Sequence, residues 1–405
     1  MLSGTVGAQL ITLMALPLLS RLYSPEEFGY FSLVLALTAI VGPAATLRFE
    51  TAAMLPAETR DVRALVWNAL LVSVGVALLS GGVLQVITWS GITDLSKYDY
   101  ISLWVGAMVL IYALFAIFSQ LSLRNRQYAL VSQRSVVRAG VTAAGQLGLG
   151  LLGQGAAGLT AGAALGNLAG LIAMAKSART YLHYPGRAAL GEVWRNYWRF
   201  PVLFTPSALL NALGLQAPLV GFTLIYGVSI GGQLGMAERI VGLPITLVGV
   251  AIGQVIDAEV SKRVRERSGG LHRTYVRYSS ALVAIAALVA LGFGVLGGWV
   301  VPWLLGADWA LAGTVVQIMA ITSAVRLLGG PLSKFLVLLQ RPMLTLSMDV
   351  LRVVIVALGF SVVLSLGIDL IPALWIVYSG LSATYLVTWV CGLVAARQED
   401  VSVRK

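Results

Sequence analysis

The sequence predicts an all-α polytopic membrane protein, with about twelve transmembrane helices in two six-helix lobes around a central cavity. Three observations support this fold class. Only 11% of the 405 residues are charged, against about 25% in ordinary soluble domains. Apolar runs of about 17 to 25 residues recur along the whole chain. The connections between them, at about 11 residues each, are too short for a domain of about 50 residues or more.

The apolar runs are continuous, which favours helices, because the strands of a membrane barrel would be short and alternating. In chain order the predicted spans are residues 4–20, 28–47, 65–89, 101–121, 135–153, 157–177, 202–225, 230–256, 276–303, 312–338, 343–366 and 371–396. A longer basic connection after the sixth span divides the chain into a first lobe (1–177), a cytoplasmic amphipathic linker (178–200) and a second lobe (201–405). The linker fits two interpretations equally well, an interfacial segment on anionic lipid or an ordinary connection.

Two sequence features concern helix packing. Pro17 precedes Gly29 much as Pro218 precedes Gly231 and Gly232, a weak repeat that fits a transporter built from two related lobes. The sixth span carries a glycine at every fourth position, which predicts close approach of a neighbouring helix and no chemistry of its own. These glycines are Gly158, Gly162, Gly166 and Gly170.

The distribution of basic residues predicts the topology. Most of the 28 Lys and Arg residues fall in loops that are cytoplasmic if the N-terminus is inside, and only Arg21 and Lys97 fall opposite. Arg134 and Arg138 are counted in one of these cytoplasmic connections. Because basic loops stay on the cytoplasmic side, both termini are predicted to be cytoplasmic. The net charge of +11 then reflects topology, and no basic surface with base-reading elements indicates nucleic-acid binding.

Ionisable residues inside the spans are the candidate functional residues. A charge at bilayer depth costs at least about 2.5 to 3.5 kcal/mol, so it normally meets water or a partner. Arg239, with Glu238 beside it, and Arg326 lie near the middle of their predicted spans. Lys334 lies nearer the inner surface, where its side chain can snorkel.

Further charged residues lie in the eleventh span and at the ends of the first two. Asp349 and Arg352 are three residues apart on a helix and can pair. Arg48 and Glu50 close the second span at the inner surface, and Arg21 closes the first at the outer surface.

Within the second-lobe spans, basic residues outnumber acidic ones. The basic set is Arg239, Arg326, Lys334 and Arg352, and the acidic set is Glu238 and Asp349. A positive cavity suits an anionic passenger, and the guanidinium fork matches phosphate oxygens. Glu50, Glu238 and Asp349 are the candidate protonation sites for coupling transport to an ion.

Signals for catalysis or metal binding are absent from the sequence. The single Cys391 excludes an internal disulfide and a cysteine-rich metal site, and His183 and His272 lie in basic segments far from carboxylate clusters. The chain contains no nucleotide-binding P-loop, no H-E-x-x-H and no G-x-S-x-G. We therefore expect no cofactor, no metal and no enzymatic activity.

Five motifs resemble one family. They are "LSGT" at 2–5, "RLYSPEEFGYFSL" at 21–33, "LRFETAAMLP" at 47–56, "FPVLFTPSALLNAL" at 200–213 and "GQLGMAERIVGLPITLVGVAIGQV" at 232–255. Together they are similar to the polysaccharide-transporter branch of the multidrug, oligosaccharidyl-lipid and polysaccharide exporter superfamily, which contains the bacterial O-antigen and capsule flippases. The similarity extends over essentially the whole chain.

The resemblance implies that the protein moves an undecaprenyl-pyrophosphate-linked oligosaccharide across the bacterial inner membrane by alternating access. It also implies a cationic central cavity. Arg21, Arg48 and Arg239 fall within matched motifs, whereas Arg326, Lys334 and Arg352 rest on the depth argument alone. A glycan polymerase in the same membrane is a candidate partner.

Three other functions are alternatives to the transport of a lipid-linked oligosaccharide. A cation-coupled multidrug exporter of the same superfamily would favour buried acids over buried arginines. A membrane glycan polymerase or ligase would carry a large outer loop, whereas the outer connections here are short. The lipid-linked peptidoglycan precursor flippase usually has two further spans.

Overall fold

A computed structural model describes residues 2–91, 100–266, 269–339 and 341–404. The described chain is helical and contains no β-strand. Its helices are α1 (Leu2–Leu22), α2 (Pro25–Ala45), α3 (Phe49–Ala52), α4 (Thr59–Trp89), α5 (Ile101–Arg124), α6 (Tyr128–Leu151), α7 (Gly155–Ala178), α8 (Arg187–Asn196), α9 (Thr205–Tyr226), α10 (Val228–Glu266), α11 (Leu271–Leu305), α12 (Ala310–Leu332), α13 (Lys334–Leu338), α14 (Pro342–Leu366) and α15 (Leu370–Arg404).

The number and apolar character of these helices confirm the prediction of an all-α polytopic membrane protein. Within the described ranges, 11 helical segments are long and apolar enough to cross a bilayer. The α6 helix has comparable length, at 24 residues, but is not among them. It contains Gln133, Arg134, Arg138 and Gln146, which lower its mean hydropathy.

Several predicted helix ends differ from the structure. The fifth span was predicted to start at residue 135, but α6 begins at Tyr128, so Arg134 lies inside the helix together with Arg138. The predicted span 312–338 agrees with the candidate membrane span Ala307–Leu338, which has a break at Ser333, where α12 ends and α13 begins. Pro331, in the last turn of α12, lacks the N–H that would continue the helical hydrogen bonds.

The sequence around Ser24 explains where α2 begins. Ser24 accepts a hydrogen bond from the backbone N–H of Glu27 at 3.3 Å, and the Glu27 carboxylate accepts one from the Ser24 N–H at 2.7 Å. Pro25 occupies the first helical position, where its missing N–H has no helical partner to lose. This reciprocal cap places the polar turn between the first two membrane helices.

The chain divides into two compact units, Met1–Gly232 and Gln233–Lys405. Within the first unit, α9 packs against α2, and within the second, α12 packs against α11 and α15. The predicted lobes, 1–177 and 201–405, are the two parts of the chain expected to move during transport. The two units are instead defined by which residues pack together. The lobe division therefore stays a prediction.

The predicted linker contains α8, which packs against α4 of the first unit. The Trp194 indole N–H donates to the Asn68 side-chain oxygen at 2.8 Å, and the Asn68 amide donates to the Leu190 carbonyl oxygen at 3.2 Å. Ala189 and Val193 are buried in the same contact. The apolar face of α8 is thus covered by protein.

The first turn of α10 crosses α2 with the two backbones in direct contact. A Cβ atom added to Gly29 would lie 1.8 Å from the Val228 carbonyl oxygen, and one added to Gly232 would lie 1.8 Å from the Pro25 carbonyl oxygen. Only glycine fits at either position. Gly29 of α2 therefore contacts α10, and Gly232 of α10 contacts α2. Both glycines belong to the weak sequence repeat.

The glycines of α7 also serve close packing, as predicted. A Cβ on Gly162 would lie 2.6 Å from the Gln146 backbone nitrogen, and one on Gly166 would lie 2.7 Å from the Arg138 carbonyl oxygen. Both neighbours belong to α6, so the glycine face lets the α6 and α7 backbones approach each other.

We expect Gly232→Ala to reduce the amount of folded protein in the membrane, because the new methyl group would overlap the Pro25 carbonyl group. Overpacking of this kind typically costs about 1 to 3 kcal/mol. Gly242→Ala in the same helix is the matched control, since nothing lies within 4 Å of its added Cβ. Fluorescence-detected size-exclusion chromatography of both variants provides the measurement, and equal yields would contradict the assigned contact.

Candidate functional site

The candidate cluster of the second unit consists of four ionisable side chains on α10, α12 and α15. Glu238 of α10 lies within electrostatic range of Arg239 in the same helix, of Arg326 in α12 and of Tyr378 in α15. Glu238 and Arg239 are half-buried, and Arg326 is exposed. The cluster thus holds two guanidinium groups and one carboxylate, and the sequence prediction had already named all three charged members.

A polar contact joins α12 to α15 near Arg326. The Thr322 hydroxyl donates to the Tyr378 carbonyl oxygen at 3.0 Å, and the Ser382 hydroxyl lies 3.0 Å from that of Thr322. Thr322 and Ser382 are buried. Because Thr322 precedes Arg326 by four residues, this contact lies one helical turn from the guanidinium-bearing residue.

Asp349 and Arg352 pair within α14, as their spacing predicted. The Arg352 guanidinium donates to the Asp349 carboxylate at 3.3 Å, with side-chain exposures of 8% and 11%. The same guanidinium lies 5.0 Å from the centre of the Tyr385 ring in α15, a cation–π distance. These contacts give Arg352 a structural role in joining α14 to α15, and its predicted contact with substrate stays a prediction.

Lys334 forms an ion pair that the sequence analysis did not include. Its ammonium group donates to the Asp257 carboxylate and lies 3.4 Å from the Gly253 carbonyl oxygen, both in α10. Asp257 was not counted among the acids of the second-lobe spans, so the predicted positive excess was too large. With Asp257 included, the candidate set has four basic and three acidic residues, an excess of one.

In the first unit, Arg48 and Glu50 form an ion pair at 3.7 Å in the turn after α2. Glu50 is buried and also accepts hydrogen bonds from the hydroxyl groups of Thr46 and Thr51. Arg48 has a positive φ of 62°, which is uncommon for a residue other than glycine. The motif "LRFE" therefore builds a sharp turn that presents Arg48, whose side chain is 37% exposed.

Arg21 lies in the last turn of α1 and is exposed. A cation at this position interacts favourably with the negative end of the helix dipole. This local role needs no substrate, and the predicted contact between Arg21 and the passenger stays a prediction.

Sequence reasoning missed Arg134 and Arg138 as candidate site residues because it assigned both to a cytoplasmic connection, whereas both lie in α6. Both guanidinium groups lie over the ring of Phe115 in α5, at 4.9 and 5.2 Å from its centre. The sequence signal for an earlier helix start was the polar character of residues 128–138. This composition is compatible with an amphipathic helix as well as with a loop.

The arrangement offers charge and hydrogen-bond donors, not metal ligands. Among the residues that the structure describes, no group of three or more His, Cys, Asp or Glu side chains could hold a metal ion. Exposed guanidinium groups such as Arg326 can bind phosphate or carboxylate oxygens in two-pronged geometry.

The family of the chain is shown by a match over most of its length. Residues 18–313 match the family described as polysaccharide biosynthesis protein. The chain belongs to this family. Arg21, Arg48 and Arg239 lie inside the matched residues of this polysaccharide biosynthesis protein, whereas Arg326, Lys334 and Arg352 lie beyond them. No curated protein matches the sequence.

Solved structures of membrane transporters share the fold. The lipid II flippase MurJ in an inward closed conformation aligns with a TM-score of 0.72 and 13% identity, over 99% of this chain and 88% of that one. An inward-facing multidrug resistance MATE family transporter of the MOP superfamily aligns with a TM-score of 0.60 and 13% identity, over 100% of this chain and 94% of that one. Its outward-facing counterpart aligns at 0.59 and 14%, over 100% and 95%.

We expect Asp349→Asn to destabilise the protein, because it leaves the buried Arg352 guanidinium without its carboxylate. Removing one partner of a buried ion pair typically costs about 3 to 5 kcal/mol. The double variant Asp349→Leu with Arg352→Leu should recover most of the stability, since neither charge is then buried alone. Thermal unfolding in detergent provides the measurement, and a double variant no more stable than the single one would contradict the pairing.

Proposed function

We propose that this polysaccharide biosynthesis protein is a flippase, not an enzyme. It moves an undecaprenyl-pyrophosphate-linked oligosaccharide from the cytoplasmic to the outer leaflet of the bacterial inner membrane by alternating access. Both termini are cytoplasmic, and a glycan polymerase in the same membrane receives the product. The passenger enters an aqueous cavity where basic side chains meet its pyrophosphate.

The observation that carries this proposal is the cluster of Arg239, Arg326 and Glu238. The cluster holds two guanidinium groups and one carboxylate, so its formal charge is positive. Glu238 lies within electrostatic range of both arginines. Arg326 is exposed and therefore available to an incoming group. A positive site in a low-dielectric surrounding attracts an anion and repels a cation.

The family and the fold support the proposal at a coarser level. The matched family acts in polysaccharide biosynthesis, and MurJ, by its description, flips lipid II. A glycan precursor carried on a lipid fits both observations. With 13% identity to MurJ, the likeness shows the fold alone, so the substrate is inferred from the charge of the site.

Among the three candidate protonation sites, Glu238 is the best placed to couple transport to an ion. Glu50 and Asp349 are each engaged in an ion pair that stabilises a turn or a helix contact. Glu238 instead lies beside the two arginines proposed to bind the passenger. Loss or gain of its charge would change the attraction of the cluster for an anion.

A cation-coupled multidrug exporter is the second candidate, because MATE transporters share the fold. Such a protein would bind cationic compounds, which the positive cluster disfavours. The two functions therefore differ in a measurable way.

We expect Arg326→Ala to lower glycan display at least about ten-fold, since a charge-assisted hydrogen bond contributes about 1.5 to 3 kcal/mol. Arg326→Lys should keep partial activity, because it retains the charge and loses the fork. Arg273→Ala, which removes another exposed arginine of the same unit, should behave as wild type. The measurement is surface glycan in a flippase-null bacterial strain, with the membrane level of each variant determined by immunoblot.

Two outcomes would contradict the proposal. Full-length glycan on cells that express Arg326→Ala normally would remove Arg326 from the substrate site. Export of a cationic dye by the wild-type protein, without any rescue of glycan display, would favour the multidrug exporter.

A further inference from the structure

A second basic site lies in the first unit, on α6. Arg134 and Arg138 are four residues apart and so project from the same face of the helix. Their guanidinium carbons lie 4.9 and 5.2 Å from the centre of the Phe115 ring. One aromatic ring of α5 thus holds two positive groups close together.

No carboxylate is available from the helices that pack along this face. α6 packs against α1, α5 and α7, and none of these three helices contains Asp or Glu. The sequence has no acidic residue at all between Asp99 and Glu192. Contact with an aromatic face contributes about 0.5 to 2 kcal/mol to a cation but does not neutralise it.

The two arginines differ in mobility. Arg134 is buried and donates to the Ser119 hydroxyl and, at 2.8 Å, to the Met174 sulfur. Arg138 is exposed, and its guanidinium lies 3.5 Å from the Asn167 side-chain oxygen. Arg134 is therefore a positive charge held in place by protein contacts. The neighbouring Arg138 has N–H donors at the protein surface.

The neighbouring helix keeps this site in register. The Asn167 amide nitrogen donates to the Ala163 carbonyl oxygen at 3.0 Å, which turns its side-chain oxygen toward Arg138. A Cβ on Gly170 would lie 2.9 Å from the Phe115 ring. The glycine face of α7 thus leaves room for the ring that both arginines contact.

We propose that Arg134 and Arg138 form a binding site for a phosphate ester. Arg134 is held by Ser119 and Met174 and contributes charge, whereas exposed Arg138 can direct its N–H donors to a ligand. Two adjacent positive groups match the charge of a phosphate or pyrophosphate better than that of a single carboxylate. This site is built entirely from α5, α6 and α7, whereas Arg239 and Arg326 belong to α10 and α12.

Two molecules in the membrane carry this chemistry. One is the headgroup of an anionic phospholipid, which α6 would meet from the bilayer. The other is the pyrophosphate of the lipid-linked passenger, and only this source rests on the proposed function. Binding of purified probes separates the two.

The test uses the full chain in nanodiscs of neutral phosphatidylcholine. Native mass spectrometry measures binding of undecaprenyl pyrophosphate in one titration and of phosphatidylglycerol in another. Arg138→Gln should weaken at least one of the two at least about ten-fold, and Arg138→Lys should weaken it less. Arg126→Gln, which removes an exposed arginine just before α6, should change neither.

The results for the two probes, taken together, identify the ligand. Weakened binding of undecaprenyl pyrophosphate alone assigns the site to the passenger, and weakened binding of phosphatidylglycerol alone assigns it to a headgroup. Wild-type affinity of folded Arg138→Gln for both probes overturns the site. If Arg138→Gln does not fold, unchanged binding by Arg138→Lys rejects the two-pronged contact. Because glycan display is not the readout, failure of the proposed function leaves this result standing.

Discussion

The constraint on which the structure depends is the high free energy of an unneutralised charge at bilayer depth. It explains why Asp349 and Arg352, which are both buried, pair within α14. Lys334 and Asp257 are more exposed, and their pair joins α13 to α10. The apolar surfaces decide which residues can enter the membrane, and these pairs help decide which helix faces meet.

Among the candidate residues outside these pairs, the exposed charges are positive. Arg326 in the second unit and Arg138 in the first are both exposed. They lie on different helices. Arg326 lies one turn from the polar contact at Thr322, and Arg138 lies over the Phe115 ring.

Close contacts between helix backbones also hold the helices together. Lipid offers helices little hydrophobic reason to associate, so van der Waals contact between backbones contributes more than in water. The crossing at Gly29 and Gly232 and the face of α7 around Gly166 are such contacts. The second also lets α7 pack against the stretch of α6 that carries Arg138. Packing and charge are therefore linked at the same place.

Sequence alone determined the helical membrane class, the family resemblance, the Asp349–Arg352 pair and the glycine packing face, because these depend on local composition and helical spacing. Tertiary structure decided the rest. Asp257 pairs with a lysine 77 residues away, and Glu238 lies near Arg326 on another helix. Helical periodicity carries no information about which distant faces meet. It also left the start of α6 ambiguous, since a polar first turn fits a loop equally well until the contact with α5 is known.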